Sequence, residues 1–485
     1  MLGLALAACQ KAELMEDVTA VADGSPVVSF KADGFPSTKV VYEGDTAVKG
    51  AWDIDDVIYG FTDKGVTVSF TVADVDESTG AATLEQTTNV ALFNGDKVYA
   101  IYFPLKSAAD IKDGELAVDF SEQPADVVPM LLLSEATAAS NTLSFSFRNA
   151  TSIVGVVNPT MSTGQTKITN CTLCGHEIVS AGKVSVSGGA LTFTADAPSK
   201  FITKKVPTSY VEKGSGSLSL NTPLYVVVPP CPVEKVSFCV GGNWVMSYVI
   251  GKTAVAGKYY LVKDKAFASL IKAPAASGVV VGNVSWAATN LNTETKTGKS
   301  EATGDIYQWG NPEKIYSNFN ASATPCYTII PAYKGYGFGA PMPGKNYYSA
   351  DAYTKYNATD GKTVLDPVDD IVQLTYPGSG WRMPTKEDFD ALLKITLAWN
   401  SPTATFTDPD DNKVLFYRSA YASIAKDGAK GGTGRYWTAT TSADNSTCAY
   451  YLQIGSTGTC TCAISEANSR RYFGYMIRPV KDVTE

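Results

Sequence analysis

Short runs of alternating apolar and polar side chains recur through residues 25–272, and they constrain the fold more than any other feature. In residues 65–72, valine or phenylalanine takes every second position and threonine or serine lies between them. Residues 143–147 and 218–220 repeat the pattern. Because successive side chains of a strand point to opposite faces, this alternation predicts antiparallel strands with one buried and one solvated face.

Roughly a dozen such runs, with no convincing long helix among them, predict two β-sandwiches in tandem. The composition changes near residue 274, because residues 274–485 hold 17 of the 26 tyrosines and five of the seven tryptophans. One clear helix is predicted there over residues 384–399, opened by a capping box of Thr385 and Asp388. Its apolar face would carry Phe389, Leu392, Leu393 and Leu397. With aromatic strands over residues 448–480, this third region is predicted to be α+β.

The predicted fold is therefore mainly β, with two tandem antiparallel β-sandwiches followed by an α+β domain. Small-residue stretches at 135–141 and 272–278 set the domain boundaries. The resulting segments are a signal and tether at 1–24, a first sandwich at 25–138, a second sandwich at 139–272 and a C-terminal domain at 273–485.

The charge balance excludes some partners and chemistries. Lysine and arginine total 40 against 48 acidic residues, which gives a net charge of −8, and six of the seven arginines follow residue 380. Nucleic acid is not expected as a partner, because phosphates need a basic stripe to neutralise them. The only histidine is His176, which excludes metal sites built from several histidines. The sequence has no run of about 18 apolar residues, so it predicts no membrane-spanning helix.

The first residues form an apolar run that ends in Leu6-Ala-Ala-Cys9 and resembles a bacterial lipobox. A lipobox implies cleavage before Cys9, a lipid on its thiol and export, with residues 10–24 as a polar tether. The basic region of a signal peptide is missing, so we expect the true start to lie upstream of Met1. The alternative is a chance apolar segment with a free cysteine.

Eight further cysteines follow, and an even number in an exported chain permits disulfides without fixing their pairing. Cys171, Cys174 and His176 resemble a haem-attachment motif, but Gly175 breaks it. A zinc site that adds Cys231 and Cys239 would have a spacing that matches no known ligand pattern. Buried or paired structural cysteines are the favoured interpretation.

Five motifs in residues 51–261 resemble the fimbrillin-type pilins of Bacteroidetes. They occur in that family's order, at residues 51–58, 99–104, 143–157, 225–230 and 255–261. The resemblance implies two transthyretin-like pilin domains on a lipoprotein of the outer membrane. It also implies that a protease removes the first strand, for which residues 26–30 are the candidate, and that a neighbouring pilin adds a strand in its place. The family's protease cuts after arginine, whereas this segment offers Lys31, Lys39 and Lys49.

The C-terminal region is similar to the C-type-lectin-like domains that share the fold of formylglycine-generating enzymes. The matching motifs lie at residues 283–290, 304–310, 380–385, 436–438 and 478–480. Such an enzyme needs paired active-site thiols, and Cys460-Thr-Cys462 stands in an unmatched context, so we expect no catalysis. The calcium-binding loop of sugar-binding lectins is missing as well. Residues 408–412 favour a solvated acidic turn over a calcium site, so no metal or cofactor is expected.

Tyrosines in turn-rich sequence are the candidates for ligand binding, because tyrosine offers apolar area with a polar tip. These candidates are Tyr333, Tyr336, Tyr347, Tyr348, Tyr353 and Tyr356. The alternative is that a loop-rich domain packs its loops with tyrosine. Trp286, Trp309, Trp381 and Trp437 lie in the recurrent motifs and are predicted to be core.

These observations predict a fimbrial tip subunit at the cell surface that accepts a strand from another pilin and presents a lectin-like domain to a host or microbial glycan or protein. A tip position is expected because pilins of this family donate a C-terminal strand, whereas here a folded domain follows the second sandwich. The alternative is a lipid-anchored surface glycan-binding protein that does not polymerise.

Overall fold

The computed structural model describes residues 25–34, 39–40, 51–241, 244–267, 269–291, 303–312, 314–320, 328–329, 348–349, 352–418, 433–442, 445–464 and 470–483. The fold is mainly β, as predicted. In this described part, no helix is long and apolar enough to cross a membrane.

The strands up to residue 149 are β1 (Ser29–Ala32), β2 (Lys39–Val40), β3 (Val57–Thr62), β4 (Thr67–Val75), β5 (Ala82–Gln86), β6 (Lys97–Tyr102), β7 (Ile111–Lys112), β8 (Glu115–Asp119), β9 (Glu122–Gln123), β10 (Leu132–Thr137), β11 (Thr142–Phe145) and β12 (Arg148–Asn149). The strands up to residue 272 are β13 (Ser152–Val157), β14 (Thr160–Ser162), β15 (Ile168–Cys174), β16 (Ala181–Ser187), β17 (Ala190–Ala195), β18 (Ile202–Lys205), β19 (Val211–Gly214), β20 (Ser217–Leu220), β21 (Leu224–Val228), β22 (Pro232–Val240), β23 (Trp244–Thr253), β24 (Lys258–Lys263) and β25 (Ser269–Lys272). Short 3₁₀ turns lie at Ala108–Asp110 and Thr208–Tyr210.

The C-terminal strands are β26 (Ala276–Val281), β27 (Val284–Ala287), β28 (Thr303–Gln308), β29 (Lys314–Asn320), β30 (Thr328–Ile329), β31 (Tyr348–Ser349), β32 (Ala352–Tyr353), β33 (Trp381–Arg382), β34 (Thr396–Asn400), β35 (Thr403–Thr407), β36 (Lys413–Tyr417), β37 (Gly434–Thr441), β38 (Ala449–Ile454), β39 (Cys460–Ala463), β40 (Gly474–Tyr475) and β41 (Val480–Asp482). The helices are α1 (Ile371–Thr375) and α2 (Lys386–Leu392).

The first sandwich is built on an eight-stranded sheet with the order β11-β1-β5-β4-β3-β6-β10-β12. A four-stranded sheet of the order β17-β16-β8-β7 lies against it. Phe103, which follows β6, and Phe120, which follows β8, join the two layers with ring centroids 5.2 Å apart. This contact closes the core of the sandwich.

The second sandwich pairs a six-stranded sheet, β25-β23-β22-β15-β18-β9, with a four-stranded sheet, β2-β24-β13-β21. Phe238 of β22 and Phe267, beyond the end of β24, meet at 5.1 Å between the layers. The remaining strands of this region form the sheet β14-β20-β19.

The domain boundary predicted between residues 138 and 139 is wrong. Strands β11 and β12 follow it, yet both belong to the eight-stranded sheet of the first sandwich. Strands β8 and β9 precede it but pair with β16 and β18. Residues 135–137 of the predicted seam lie in β10, where Ala136 is buried, and residues 138–141 form the short turn into β11. Small side chains fit a packed strand as well as a linker, so their composition does not distinguish the two.

The linker predicted over residues 272–278 is also mostly strand. Strand β25 ends at Lys272 and β26 begins at Ala276, so residues 273–275 make the whole connection. Ala273 is buried within it. The C-terminal domain therefore follows the second sandwich without a flexible spacer.

The predicted helix at 384–399 is confirmed at its start and wrong at its end. Thr385 Oγ1 accepts from the Asp388 amide at 3.3 Å, and the Asp388 carboxylate accepts from the Thr385 amide at 2.7 Å. The helix ends at Leu392, and Thr396–Asn400 forms β34 instead. Ile395 and Thr396 are β-branched and favour a strand.

The C-terminal domain contains the sheets β26-β27-β41-β33, β30-β29-β28-β40, β31-β32, β34-β35-β36 and β37-β38-β39. The tryptophans predicted to be core are buried. Trp309, Trp381 and Trp437 join one core that continues through both sandwiches. Trp286 centres a second core with Phe389, at 5.0 Å between ring centroids.

Candidate functional site

Strand β1 is the candidate site for strand exchange. It lies between two neighbours, antiparallel to β5 and parallel to β11. Phe30 is opposite Leu84 on one side and Leu143 on the other. The sequence placed this first strand at 26–30, whereas the ladder runs over Ser29–Ala32 and Pro26 makes only an isolated bridge to Phe93. Proline has no amide hydrogen, so it cannot donate to the ladder.

Few side chains fix β1 in the core. Val27 and Ala32 are buried, and Phe30 is half-buried. The Phe30 ring lies 5.2 Å from Phe70, whose other neighbour is Phe145 at 5.4 Å. These side chains and the flanking strands define a slot that an apolar residue from another segment could also fill.

Backbone hydrogen bonds hold the two ends of β1. The Val27 amide donates to the Leu92 carbonyl at 2.8 Å, and the Val28 amide donates to the Asn141 carbonyl at 2.9 Å. At the other end the Asp33 amide donates to the Phe145 carbonyl at 2.8 Å. Because these bonds use main-chain atoms, any extended segment in the same register could replace them.

The proposed tyrosine platform is only partly described. Tyr333, Tyr336 and Tyr347 lie outside the described residues, as does the candidate lipidation site Cys9. Tyr348 is described only through the backbone pairing of β31 with β32.

The other two tyrosines are buried, although side chains in turn-rich sequence are usually exposed and a ligand platform requires exposure. Tyr356 is fully buried and Tyr353 is 9% exposed. Both surround Arg471, whose guanidinium carbon lies 3.9 Å from the Tyr353 ring and 5.8 Å from the Tyr356 ring. The Tyr356 hydroxyl donates to the Asp369 carboxylate, and burial raises the pKa of Tyr356. For these two residues the structure favours loop packing over a ligand platform.

Sequence reasoning missed the charged residues of this cluster. Arg471 is fully buried and donates to the carbonyls of Tyr356 and Ser446 at 3.3 and 3.1 Å. Asp369 is 1% exposed. Charged side chains are rarely buried unless paired, so a single sequence offers little signal for them.

The described cysteines, Cys171, Cys174, Cys231, Cys239, Cys448, Cys460 and Cys462, are free thiols. Burial raises the pKa of Cys460 to about 11 and that of Cys462 to about 12. Such thiols are poor nucleophiles at neutral pH. Among the described residues, no group of three or more histidine, cysteine or acidic side chains could hold a metal ion.

The acidic turn after β35 satisfies its own carboxylate. Asp408 Oδ1 accepts from the amides of Asp410 and Asn412 at 3.0 and 2.9 Å. Its second oxygen accepts from the Asn412 side chain at 3.1 Å. These bonds serve the turn without a cation.

A cavity of about 440 Å³ opens where the β3–β4 and β7–β8 turns come together. Buried Phe61 and Tyr99 line it, with ring centroids 5.5 Å apart. Exposed Asp63 and Asp113 line it too, and Val186 enters from the facing sheet. Its size lies in the range of small-molecule sites. Aromatic rings can pack against the apolar face of a sugar, and the carboxylates beside them can accept hydrogen bonds from its hydroxyls.

No family model matches this chain, and no curated protein matches its sequence. Among solved structures it is similar to a putative cell adhesion protein from Bacteroides uniformis, at 14% identity and a TM-score of 0.34, over 53% of this chain and 97% of that one. It is similar to a fimbrial protein from Bacteroides ovatus, at 12% identity and a TM-score of 0.26, over 94% and 99%. It is also similar to the fimbrial anchor protein Mfa2 from Porphyromonas gingivalis, at 8% identity and a TM-score of 0.23, over 45% and 79%.

Proposed function

We propose that this chain is a cell-surface fimbrial subunit that accepts a strand from a neighbouring pilin in the position of β1. The position of β1 carries the proposal: a short strand with few buried side chains is inserted between β5 and β11. Its loss would expose unpaired backbone groups on both neighbours and an apolar slot beside Phe70 and Phe145. A donated strand would satisfy the backbone groups and fill the slot.

The site of processing is part of the proposal. Lys31 lies within β1 and Lys39 within β2, so cleavage after Lys31 would split the strand, whereas cleavage after Lys39 would release β1 whole. Cleavage after Lys49, outside the described residues, would release both strands. We favour a cut beyond β1, because only that opens the complete slot.

The subunit would sit at the fimbrial tip. Strand β41 lies between β27 and β33, so donating it would break a sheet of the C-terminal domain. The subunit then accepts a strand through its first sandwich and presents the C-terminal domain to a glycan or protein ligand. A lipid on Cys9 would hold the unassembled subunit at the outer membrane. No catalysis is proposed, in keeping with the raised pKa values of Cys460 and Cys462.

Strand uptake by the cut chain tests the proposal. A protease site inserted between residues 40 and 51 allows cleavage of the purified chain, which is then mixed with a fluorescent peptide of residues 25–34. The cut chain is expected to bind the peptide, and neither the uncut chain nor a scrambled peptide should give a signal. Strand acceptance would be contradicted if the cut chain keeps its circular dichroism spectrum and releases its own strand but does not bind the peptide.

Tip placement needs a separate test on cells. Immunogold against residues 274–485 is expected at one distal point on each fibre. Label spaced regularly along the shaft would show that the subunit is not confined to the tip.

A second candidate function, surface glycan binding without polymerisation, is favoured by the cavity beside Phe61 and Tyr99. On a glycan array, the full chain would then lose binding in Asp63→Asn and Asp113→Asn. Asp74→Asn serves as the control, because Asp74 is exposed and does not line the cavity. Binding that depends on the cavity, together with only monomers in the fimbrial fraction, would favour this function over assembly.

A further inference from the structure

The segment that contains β1 departs from the regular pattern of a strand. The amides of Val28 and Ser29 both donate to the Asn141 carbonyl, at 2.9 and 3.2 Å. Successive amides of a regular strand point to opposite neighbours, so one of these two residues is extra, as in a β-bulge. Farther along, the Asp33 amide donates to the Phe145 carbonyl of β11 at 2.8 Å, on the side that Ser29 also faces. The irregularity therefore lies at Val28 and Ser29.

The side chains of this segment show the same irregularity. Val27 and Ala32 are buried, and Phe30 packs against the core while half-buried. Val28 is 73% exposed, and Lys31 is exposed as well. Counted from Val27, the inward positions are the first, fourth and sixth. An unbroken strand would instead direct its first, third and fifth residues inward.

The carbonyl that receives both amides is held by residues outside β1. Asn141 ends the turn that joins β10 to β11, where Ser140 and Asn141 have φ angles of +51° and +59°. The Asn141 side chain accepts from Asn94 Nδ2 at 2.9 Å, and the Asn141 amide donates to Asn94 Oδ1 at 2.8 Å. The opposite neighbour supplies the Leu92 carbonyl, which accepts from the Val27 amide at 2.8 Å. The acceptors that fix the irregular register therefore belong to the slot and not to β1.

The last inward position is suited to a small side chain. Ala32 lies opposite Ala82 of β5 and Phe145 of β11, and all three residues are buried. Additional methylene groups in a packed core displace their neighbours. A larger residue at this position would therefore weaken the binding of the strand.

We infer that the slot selects its partner by this irregular spacing. The inference rests on the proposed function and specifies the strand that such a site accepts. The partner is an extended segment of a neighbouring subunit that runs parallel to β11, with apolar residues at its first, fourth and sixth positions, the sixth being small. Its second and third residues both carry an amide hydrogen, which excludes proline there. A segment with strict alternation would turn part of its apolar side chains away from the slot.

Competition between synthetic peptides tests the spacing. The cut chain is loaded with the fluorescent peptide of residues 25–34, which unlabelled peptides then displace. A peptide that lacks Val28 has its apolar residues in strict alternation, and it should bind at least about tenfold more weakly, because one buried side chain no longer reaches its place. The Val28→Ala peptide keeps the extra residue and should bind within about twofold of the wild type. A peptide of residues 25–33, as short as the deletion peptide, should bind equally well.

The uncut chain provides a second measurement that needs no cleavage. Hydrogen exchange of the peptide that contains residues 29–33 is compared in the wild type, in Val28→Ala and in the chain that lacks Val28. Protection should fall by about tenfold or more in the deletion alone. Equal binding of the deletion peptide and the wild type, or equal protection in the deletion and in Val28→Ala, would overturn the inferred spacing and leave strand acceptance intact. A wild-type peptide that does not bind would overturn strand acceptance itself, and the inference with it.

Discussion

Phe30 should supply most of the side-chain energy that keeps β1 in its slot. Truncating a fully buried phenylalanine to alanine costs about 3–5 kcal/mol. Phe30 is half-buried, and among the described residues its ring contact is with Phe70 at 5.2 Å. We therefore expect Phe30→Ala to cost the strand about 2 kcal/mol, or roughly 30-fold in affinity.

Val28 provides the matched control within the same strand segment. It is 73% exposed, so its truncation should change the free energy by no more than about 0.5 kcal/mol. Val28 lies directly before β1, and its amide donates to the Asn141 carbonyl at 2.9 Å, so its truncation leaves the backbone pairing in place. Comparing them therefore isolates burial from β-propensity and backbone pairing.

The assay measures competition for the cut chain. A fluorescent wild-type peptide of residues 25–34 is displaced by unlabelled wild-type, Phe30→Ala and Val28→Ala peptides, and anisotropy gives the three dissociation constants. The wild-type and Val28→Ala values should agree within about twofold. Equal weakening by both substitutions would show that the slot beside Phe70 does not recognise the strand, and the reasoning would fail.

Four further predictions concern particular residues. Gly155→Ala should destabilise the second sandwich by about 1–3 kcal/mol, seen as a lower thermal midpoint, because the new Cβ would lie 2.1 Å from the Tyr259 hydroxyl oxygen; an unchanged midpoint would contradict it. Burial lowers the pKa of Lys204 to about 8 from an ordinary 10.5. Between these pH values the unfolded chain binds more protons than the folded chain, so the free energy of unfolding should rise from pH 8 to 10.5, and Lys204→Met should flatten that rise. Cys462, a half-buried thiol with its pKa raised to about 12, should react with a disulfide reagent at pH 8 only slowly until the chain is denatured, and a fast reaction in the native state would contradict the raised pKa. Cys9→Ala should leave the chain unprocessed and release it from the membrane fraction, whereas an unchanged membrane-bound pool would exclude lipidation.

Local alternation predicted strands well because it depends on a property of each strand alone. Strand β4 carries Val68, Phe70 and Val72 with no exposed surface, as the period of two requires. Val66 was assigned to the same face but is 43% exposed. It precedes the strand, directly after Gly65 at φ +78°, so the turn removes it from the ladder.

The partners of each strand could not be read from the pattern. Pairing of β1 with β11 joins residues more than a hundred positions apart, and alternation is equally compatible with other neighbours. The same limit explains the wrong boundary at 138/139, because β8 and β16 share a sheet across it. Sheet order depends on long-range packing, which neither composition nor periodicity encodes.

The candidate site was predicted only in part, because its long-range contacts cannot be read from the sequence pattern either. The family resemblance implied a first strand, for which residues 26–30 were the candidate, and the ladder lies at Ser29–Ala32. The aromatic cluster was misjudged, because tyrosine is equally suited to exposed loops and to packing around a cation. Tyr353 and Tyr356 pack around the buried Arg471 rather than lying in exposed loops. The burial of a single arginine gives no periodic pattern in the sequence that could predict this packing.

The orientation of the C-terminal domain follows from two restraints that act together. The chain crosses from β25 to β26 in residues 273–275, with Ala273 buried, so the covalent connection allows little reach. The segment 366–379 then docks on the same sandwich at a point distant in sequence, through Asn170, Lys235 and His176. A body attached at two separate places cannot swing about either one. The direction of any ligand-binding face is therefore set by the second sandwich.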